Sequence, residues 1–149
     1  MDLMKRRRAI LNQNMYTPNG VTVYRNASDA TVTAVADRIT ITNITNFSYG
    51  GTKQAIEGNY NLISGRPYTF LAKVKEISGA DFVLRIGLRD ANGSIQDITN
   101  RLYNPTVGDV IKITFTYNST NHKFLSIFIG SGASTQSGQY ITFTDMTVM

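Results

Sequence analysis

The stretch at residues 68–75, with the sequence YTFLAKVK, constrains the fold of this chain more than any other segment. Aromatic and aliphatic residues stand at the even positions from 68 to 74, and polar residues stand at most of the odd positions. Alternation with a period of two indicates a β-strand with one buried face. Pro67, directly before it, prevents a helix from running through. Because one strand cannot bury its apolar face alone, the rest of the chain must supply an opposing layer.

We predict that this layer consists of further β-strands. Segments rich in Thr, Val, Ile, Tyr and Phe, which favour strands, occur at residues 21–25, 30–36, 38–42, 82–89, 94–99, 108–117, 124–129 and 139–148. Between them, we expect residues 43–61 to form a long loop with one or two short strands, because Gly50-Gly51 and Gly58-Asn59 interrupt the pattern. Strand spacing of roughly 8–14 residues is typical of a β-sandwich. The predicted core between the two sheets comprises Phe70, Val74, Leu84, Ile86, Ile113 and Phe115.

One turn can be predicted in detail. Asn92-Gly93 follows the alternating segment 82–89 and precedes the shorter strand 94–99. This dipeptide favours a type I′ hairpin turn, in which both central residues have positive φ. We therefore predict an antiparallel hairpin with its tip at Asn92-Gly93.

Composition limits the class of protein. The chain has 149 residues, which is enough for one domain, and it has no Cys, which excludes disulfides and thiolate metal sites. No apolar run approaches the roughly 20 residues that span a membrane, and we expect neither a signal peptide nor a membrane partner. Residues 1–14 hold four cations and one carboxylate, so they account for three of the five net positive charges.

The basic N-terminus is predicted to be a functional segment. We expect residues 2–13 to form a short helix within an anchor at residues 1–16, followed by a β-sandwich domain at residues 17–149. Three interpretations of the anchor remain open: a solvated terminus, a nucleic-acid contact, and docking onto an acidic partner surface. Apolar residues interleaved with the charges favour docking, and the lack of another basic cluster argues against nucleic acid. The predicted docking residues are Leu3, Met4, Lys5, Arg6, Arg7, Arg8, Ile10 and Leu11.

The order of these segments resembles a known family. Carbohydrate-binding-module-like jelly rolls have a strand signature that is similar to the run Leu62-x-x-Gly65-x-x-Tyr68-Thr69-Phe70-x-Ala72-x-Val74-Lys75. They continue and close with strands that resemble IKITFTY at residues 111–117 and YITFTDMTV at residues 140–148. The resemblance, which covers about residues 21–149, implies an all-β fold with a single jelly-roll β-sandwich.

The opening sequence DLMKRRRAIL, at residues 2–11, is similar to the N-termini of structural proteins from tailed phages of Gram-positive hosts. This resemblance implies a non-enzymatic virion protein, a capsid or tail decoration made in the host cytoplasm and displayed on the particle surface. It would contact other virion proteins through its N-terminus and form a homo-oligomer within the assembly. The alternative function is a glycan-binding module for host cell-surface polysaccharide.

Candidate sites are few. Arg85 and Arg89, on the outward side of one strand, could form a ligand platform that Arg101 and Tyr103 extend, or they could simply protect a strand edge. The family resemblance also implies that Asp145 is a candidate calcium ligand. One carboxylate falls far short of the 6–8 oxygen ligands that Ca²⁺ takes, so we predict no metal and no cofactor.

Catalysis has little support in the sequence. The single histidine, His122, lies in a polar turn at residues 118–122, where we expect it to be solvated. The chain contains no Cys nucleophile and no recognisable Ser/His/Asp arrangement. We therefore predict that the protein is not an enzyme.

Overall fold

A computed structural model describes residues 14–24, 30–43, 50–131 and 138–149, and the regular elements in these ranges are all β-strands. The strands, in chain order, are β1 (Thr22–Val23), β2 (Ala30–Val35), β3 (Arg38–Asn43), β4 (Gly50–Ala55), β5 (Pro67–Ser78), β6 (Phe82–Arg89), β7 (Ile95–Ile98), β8 (Leu102–Tyr103), β9 (Val110–Thr116), β10 (Phe124–Ser131) and β11 (Tyr140–Val148). No helix in these ranges is long and apolar enough to cross a membrane. The predicted helix at residues 2–13 lies outside the described residues.

Two antiparallel sheets pack face to face. The first sheet has the order β1-β4-β10-β6-β7, and β8 pairs with the same edge of β6 as β7 does. The second sheet has the order β2-β3-β11-β5-β9. The chain therefore folds as the predicted all-β, two-sheet sandwich.

The core lies between the sheets, and the alternating residues of the central strands form it. Of the six predicted core residues, all but Ile113 are at most 4% exposed. Ile113 is half-buried and packs against the core, because β9 lies at the edge of the second sheet. The largest fully buried side chains are Phe128, Phe143, Ile41, Ile56, Leu84, Ile86, Leu88, Leu125, Ile127, Ile129, Ile141 and Met146.

Residues 43–61 were expected to form a long loop with one or two short strands, and the structure has one such strand within residues 50–61. Residues 50–55 form β4, a strand inside the first sheet between β1 and β10. Gly51 was taken as a break in the pattern, but it is required within the strand. Its φ is +141°, and a Cβ there would collide with the carbonyl oxygen of Ile127 on β10.

The hairpin between β6 and β7 is confirmed, but its turn is not of type I′. Gly93 has a φ of +81°, whereas Asn92 is not among the residues with positive φ. The Gly93 amide donates to the Asp90 carbonyl at 3.0 Å, and the Asp90 amide donates to the Ser94 carbonyl at 2.9 Å. This is a three-residue loop with glycine in the left-handed position, and the register shift next to it in the β6–β7 pair fits such a bulged turn.

Residues 14–20, the leading segment, connect the two sheets. The Met15 amide donates to the Val148 carbonyl at 2.8 Å, so the segment begins against β11 of the second sheet. Two residues later, the Thr17 carbonyl accepts from the Gln54 amide of the first sheet at 2.7 Å. The Tyr60 hydroxyl donates to Gln54 Oε1 at 2.7 Å, and burial raises the pKa of Tyr60. Residues 14–16 of the predicted anchor are thus hydrogen-bonded to the sandwich.

Candidate functional site

The outer side of the first sheet carries large aromatic side chains, which is unusual for a solvent-facing surface. On β10, Phe124, Ser126 and Phe128 alternate with the core residues at positions 125, 127 and 129. Phe124 is opposite Ala55 of β4 on one side and Arg89 of β6 on the other. We call this surface, centred on β10 and flanked by β4 and β6, the Phe124 face.

Arg89 is the structural centre of this face. Its guanidinium carbon lies 3.6 Å from the centroid of the Tyr24 ring and 4.1 Å from the centroid of the Phe128 ring, so the cation is stacked between two aromatic rings. Arg89 Nη1 donates to the Gly93 carbonyl at 2.9 Å, and Nε donates to Ser126 Oγ at 3.2 Å. Arg89 is only 2% exposed, and it links the hairpin tip to the sheet and orients the Tyr24 ring.

A pocket of about 310 Å³ opens beside Arg89, and we call it the Lys53 pocket. Its wall includes the half-buried residue Lys53, whose Nζ lies 5.5 Å from the centroid of the Phe124 ring. The full lining is Tyr24, Lys53, Arg89, Ala91, Asn92, Gly93 and Phe124. The pocket therefore combines ring surfaces with positive charge and polar groups of the hairpin tip.

A second pocket, also of about 310 Å³, lies on the other side of Phe124, and we call it the Lys123 pocket. It shares Ala91 and Phe124 with the Lys53 pocket and adds Ala55, Glu57 and Lys123. Lys123 Nζ lies 2.7 Å from Glu57 Oε1, and this hydrogen bond lowers the pKa of Glu57. The partly exposed ring of Phe124 thus forms the wall between two adjoining pockets.

The hairpin tip that closes the Lys53 pocket is held by its own side chains. Asp90 Oδ1 accepts the amides of Asn92 and Ser94, both at 2.9 Å, and Oδ2 accepts Gln96 Nε2 at 2.9 Å. Such Asx-type bonds fix a turn in one conformation. Asn92 and Gly93 therefore form a fixed wall of the pocket.

The four residues of the predicted ligand platform do not lie together. Tyr103 pairs with Val83 at the opposite end of β6 from Arg89, about 20 Å away at the usual strand rise. Arg85 lies between them, and its Nε donates to the Thr99 carbonyl at 2.8 Å. Arg101 and Tyr103 are exposed, whereas Arg89 is buried. Arg89 faces away from the core as expected, but neighbouring rings cover it, so it supports a pocket wall instead of forming an open platform.

The expectation of a solvated His122 is wrong. His122 is 4% exposed, and its ring packs edge-on against Phe115 with 5.4 Å between the ring centroids. Nδ1 accepts the Asn118 amide at 3.0 Å, which leaves the proton on Nε2 for donation to Asp97 Oδ2 at 2.6 Å. The histidine of this turn points inward because its ring forms hydrogen bonds both within the turn and to β7. The role of His122 is therefore structural.

Asp145 lies at an irregularity of β11. It is exposed, has a φ of +52°, and is located where the register between β11 and β5 shifts. In the described ranges, no group of three or more His, Cys, Asp or Glu side chains is placed to hold a metal ion. Asp145 thus occupies the position of a bulge residue.

Sequence reasoning missed Phe124, Lys53 and Lys123. One signal was present: Phe124 and Phe128 share the side of β10 opposite its aliphatic residues. Phe128 is buried under Arg89 and Phe124 is partly exposed, so this side of β10 is more than a solvated strand face. Lys53 gave no comparable signal, because the glycines before it left the bounds of the short strand expected within residues 43–61 undefined.

Comparison with known proteins shows the fold. No protein-family model and no curated protein sequence matches this chain. Among solved structures, the N-terminal cellulose-binding domain of a β-1,4-glucanase C from Cellulomonas fimi matches 89% of this chain and 90% of its own, with 14% identity and a TM-score of 0.53. Matched chains also include a CBM4 protein and a family 22 carbohydrate-binding module from Clostridium thermocellum.

Two longer proteins contain a similar unit. An arabinose-bound GH51 α-L-arabinofuranosidase matches 93% of this chain with 15% identity and a TM-score of 0.61, and this chain covers 25% of that structure. The enzymatically active domain of tailspike protein 4 from bacteriophage CBA120 matches 89% of this chain with 14% identity and a TM-score of 0.52, and this chain covers 19% of it. The chain therefore has the β-sandwich fold of carbohydrate-binding modules.

Proposed function

We propose that this protein is a non-enzymatic glycan-binding module and that the Phe124 face is its binding surface. The observation that carries the proposal is the partly exposed Phe124 ring between two adjoining pockets on the outer side of one sheet. The fold it shares with carbohydrate-binding modules supports this function.

The geometry of the face suits a chain of sugar rings. A pyranose has an apolar face that packs on an aromatic ring, while its hydroxyls need polar partners at the rim. Phe124 supplies the ring, and the lysines, Glu57 and the hairpin tip supply the donors and acceptors. Each pocket is at the lower end of the usual range of roughly 300–1,000 Å³ for ligand sites, so each suits a short stretch of glycan. A polysaccharide lying across Phe124 would occupy both pockets.

A binding panel tests this function. We expect the full chain to bind at least one cell-surface or plant polysaccharide in affinity electrophoresis, with the affinity then measured by calorimetry on an oligosaccharide. Phe124→Ala should weaken that binding about ten-fold or more, since aromatic anchors dominate recognition. Tyr103→Ala is the matched control, because Tyr103 is 61% exposed on the same sheet but away from the pockets. Binding that Phe124→Ala leaves intact would refute the Phe124 face as the site.

A second proposed function is display on a phage particle, with residues 1–16 as the anchor. The leading segment supports it, because Asn14 Nδ2 donates to the Met146 carbonyl at 3.0 Å and Asn14 Oδ1 accepts the Val148 amide at 2.9 Å. These bonds start the segment on the second sheet, away from the Phe124 face, so anchoring and glycan binding would not compete. The similar unit within a phage tailspike also supports this proposal.

Deletion of residues 1–13 tests the anchor. We expect the truncated protein to keep its melting temperature, because Asn14 and the contacts after it remain. It should no longer co-purify with phage particles that lack their own copy, whereas the full chain should attach to them. Attachment of the truncated form as strong as that of the full chain would show that the sandwich itself makes the contact.

A further inference from the structure

We propose that the glycan bound at the Phe124 face is anionic and that the Lys53 pocket binds its carboxylate or phosphate group. This inference rests on the proposed glycan-binding function and names the ligand class of the same face. It starts from the charge of the pocket wall: two of the seven lining residues, Lys53 and Arg89, are cations, and none is a carboxylate.

The carboxylates nearest the pocket are already engaged. Asp90 accepts two backbone amides and the Gln96 side chain, Glu57 pairs with Lys123, and Asp97 accepts from His122. Each therefore has a partner that holds it in place. Among the described residues, each of these three acids is thus already hydrogen-bonded.

Lys53 is in the opposite situation. In the described part of the chain, no carboxylate lies within ion-pair distance of its ammonium, whose ring contact is with Phe124 at 5.5 Å. Lys53 is half-buried as a residue, and an anion placed in the pocket would be attracted to its ammonium. Its Nζ and the Phe124 ring border the same pocket, so a sugar stacked on the ring brings its substituent toward Nζ.

Arg89 strengthens the preference of the Lys53 pocket for an anionic ligand without contacting the anionic group directly. Its positively charged guanidinium is fixed between Tyr24 and Phe128. A fixed cation behind a low-dielectric wall raises the positive potential within the pocket. A neutral glycan would gain little from this positive potential, whereas an anionic glycan would be attracted by it.

The test compares two ligands that differ only in charge. The full chain is titrated with oligogalacturonate and with its methyl ester, which has the same backbone but no carboxylate charge. We expect the free acid to bind about ten-fold more tightly, in line with one charge-assisted hydrogen bond. This advantage should shrink as salt rises from about 0.05 to 0.5 M, since ions screen the contact. A glycerol-phosphate polymer provides the arm that distinguishes phosphate from carboxylate.

Three variants locate the charge effect. Lys53→Met keeps the apolar stem and should abolish the preference for the acid, so that the acid and its methyl ester bind with equal affinity. Lys73→Met, an exposed lysine on the second sheet, is the matched control and should change nothing. The triple change of Arg6, Arg7 and Arg8 to Ala is the second control, because a basic N-terminus could hold a polyanion by itself.

The outcomes separate the two proposals. Equal affinity for acid and ester, or a preference that survives Lys53→Met, would overturn the anionic ligand while leaving a neutral glycan at the Phe124 face. A preference that disappears in the triple-arginine variant would move the charge effect to the N-terminus and would overturn the role of Lys53. If neither these ligands nor any neutral glycan binds, the glycan-binding function itself fails.

Discussion

The two outward faces of the sandwich are built from the same kind of strand but present different side chains. The outer side of the second sheet is covered by threonines, namely Thr31, Thr33, Thr40, Thr42, Thr69, Thr114, Thr116, Thr142 and Thr144. They pair across strands, with 3.0 Å between the hydroxyls of Thr40 and Thr142 and 2.9 Å between those of Thr69 and Thr114. We call this surface the threonine face.

The contrast shows which surface is built for recognition. Threonine fits a solvated strand and makes short hydroxyl contacts, so the threonine face is explained by strand propensity alone. The Phe124 face instead combines a partly exposed aromatic ring with Lys53 and a buried arginine, and strand propensity alone does not explain this combination. Variants on the two faces should therefore have different effects.

The largest effect should come from the core that both faces share. Phe70→Ala should destabilise the protein by about 3–5 kcal/mol, because it removes a fully buried ring and leaves a cavity. Urea unfolding measures the loss, and Lys73→Ala on the exposed side of the same strand is the control. A loss below about 1 kcal/mol for Phe70→Ala would contradict the placement of β5 between β11 and β9 with Phe70 in the core.

Arg89→Met should have the next largest effect, and it should affect stability and binding together. It removes the bonds to the Gly93 carbonyl and to Ser126, which should cost about 1.5–3 kcal/mol for a charged donor. Glycan affinity should also fall, because Tyr24 and the hairpin tip lose their support. Arg85→Met is the control on the same strand; it removes the bond from Arg85 Nε to the Thr99 carbonyl, and the expected loss is smaller. Equal losses for the two variants would contradict the central role of Arg89.

Gly93→Val should destabilise the hairpin tip by about 1–2 kcal/mol or more, because a β-branched residue resists positive φ. The penalty is due to the backbone and not to crowding, since a Cβ at Gly93 would come no closer than 3.6 Å to Tyr24. Gly93→Asn should lose less, because asparagine tolerates the left-handed region. Thermal unfolding of both variants measures the difference, and an equally severe loss for Asn would mean that steric contact decides instead.

The smallest effect should come from the threonine face. Thr33→Ala should change stability by no more than about 0.5 kcal/mol, as is usual for an exposed substitution, and glycan affinity should not change. Calorimetric titration measures the affinity. A loss of glycan binding in Thr33→Ala would break the distinction between the two faces.

The fold could be predicted because its evidence is local and repeated. The alternation at residues 68–75 and 82–89 predicted β5 and β6, which lie inside the two sheets, together with their buried faces. A short strand was expected within residues 43–61, but the bounds of β4 could not be predicted, because the role of Gly51 depends on the close approach of Ile127, a residue far away in sequence. The sequence alone does not distinguish a glycine that ends a strand from a glycine that allows two strands to pack closely.

The candidate site was harder to predict, because its residues are distant in the chain. Tyr24, Lys53, Arg89 and Phe124 meet only through the strand order β1-β4-β10-β6, which periodicity does not reveal. The sequence correctly predicted that Arg89 lies on the outward side of its strand. Its burial could not be predicted, because it depends on rings contributed by β10 and by the residue after β1. His122 was misjudged for the same reason, since its partner Asp97 lies on another element.

The most direct test is to map a bound glycan on the amide resonances of the isotopically labelled protein. An oligosaccharide selected from the binding panel is titrated into the full chain, and shift changes are followed residue by residue. The account predicts that the largest changes cluster at Lys53, Asn92, Lys123 and Phe124, while the amides of Thr31, Thr33, Thr114 and Thr116 stay unchanged. Changes centred on the threonine face, with the Phe124 face silent, would contradict it.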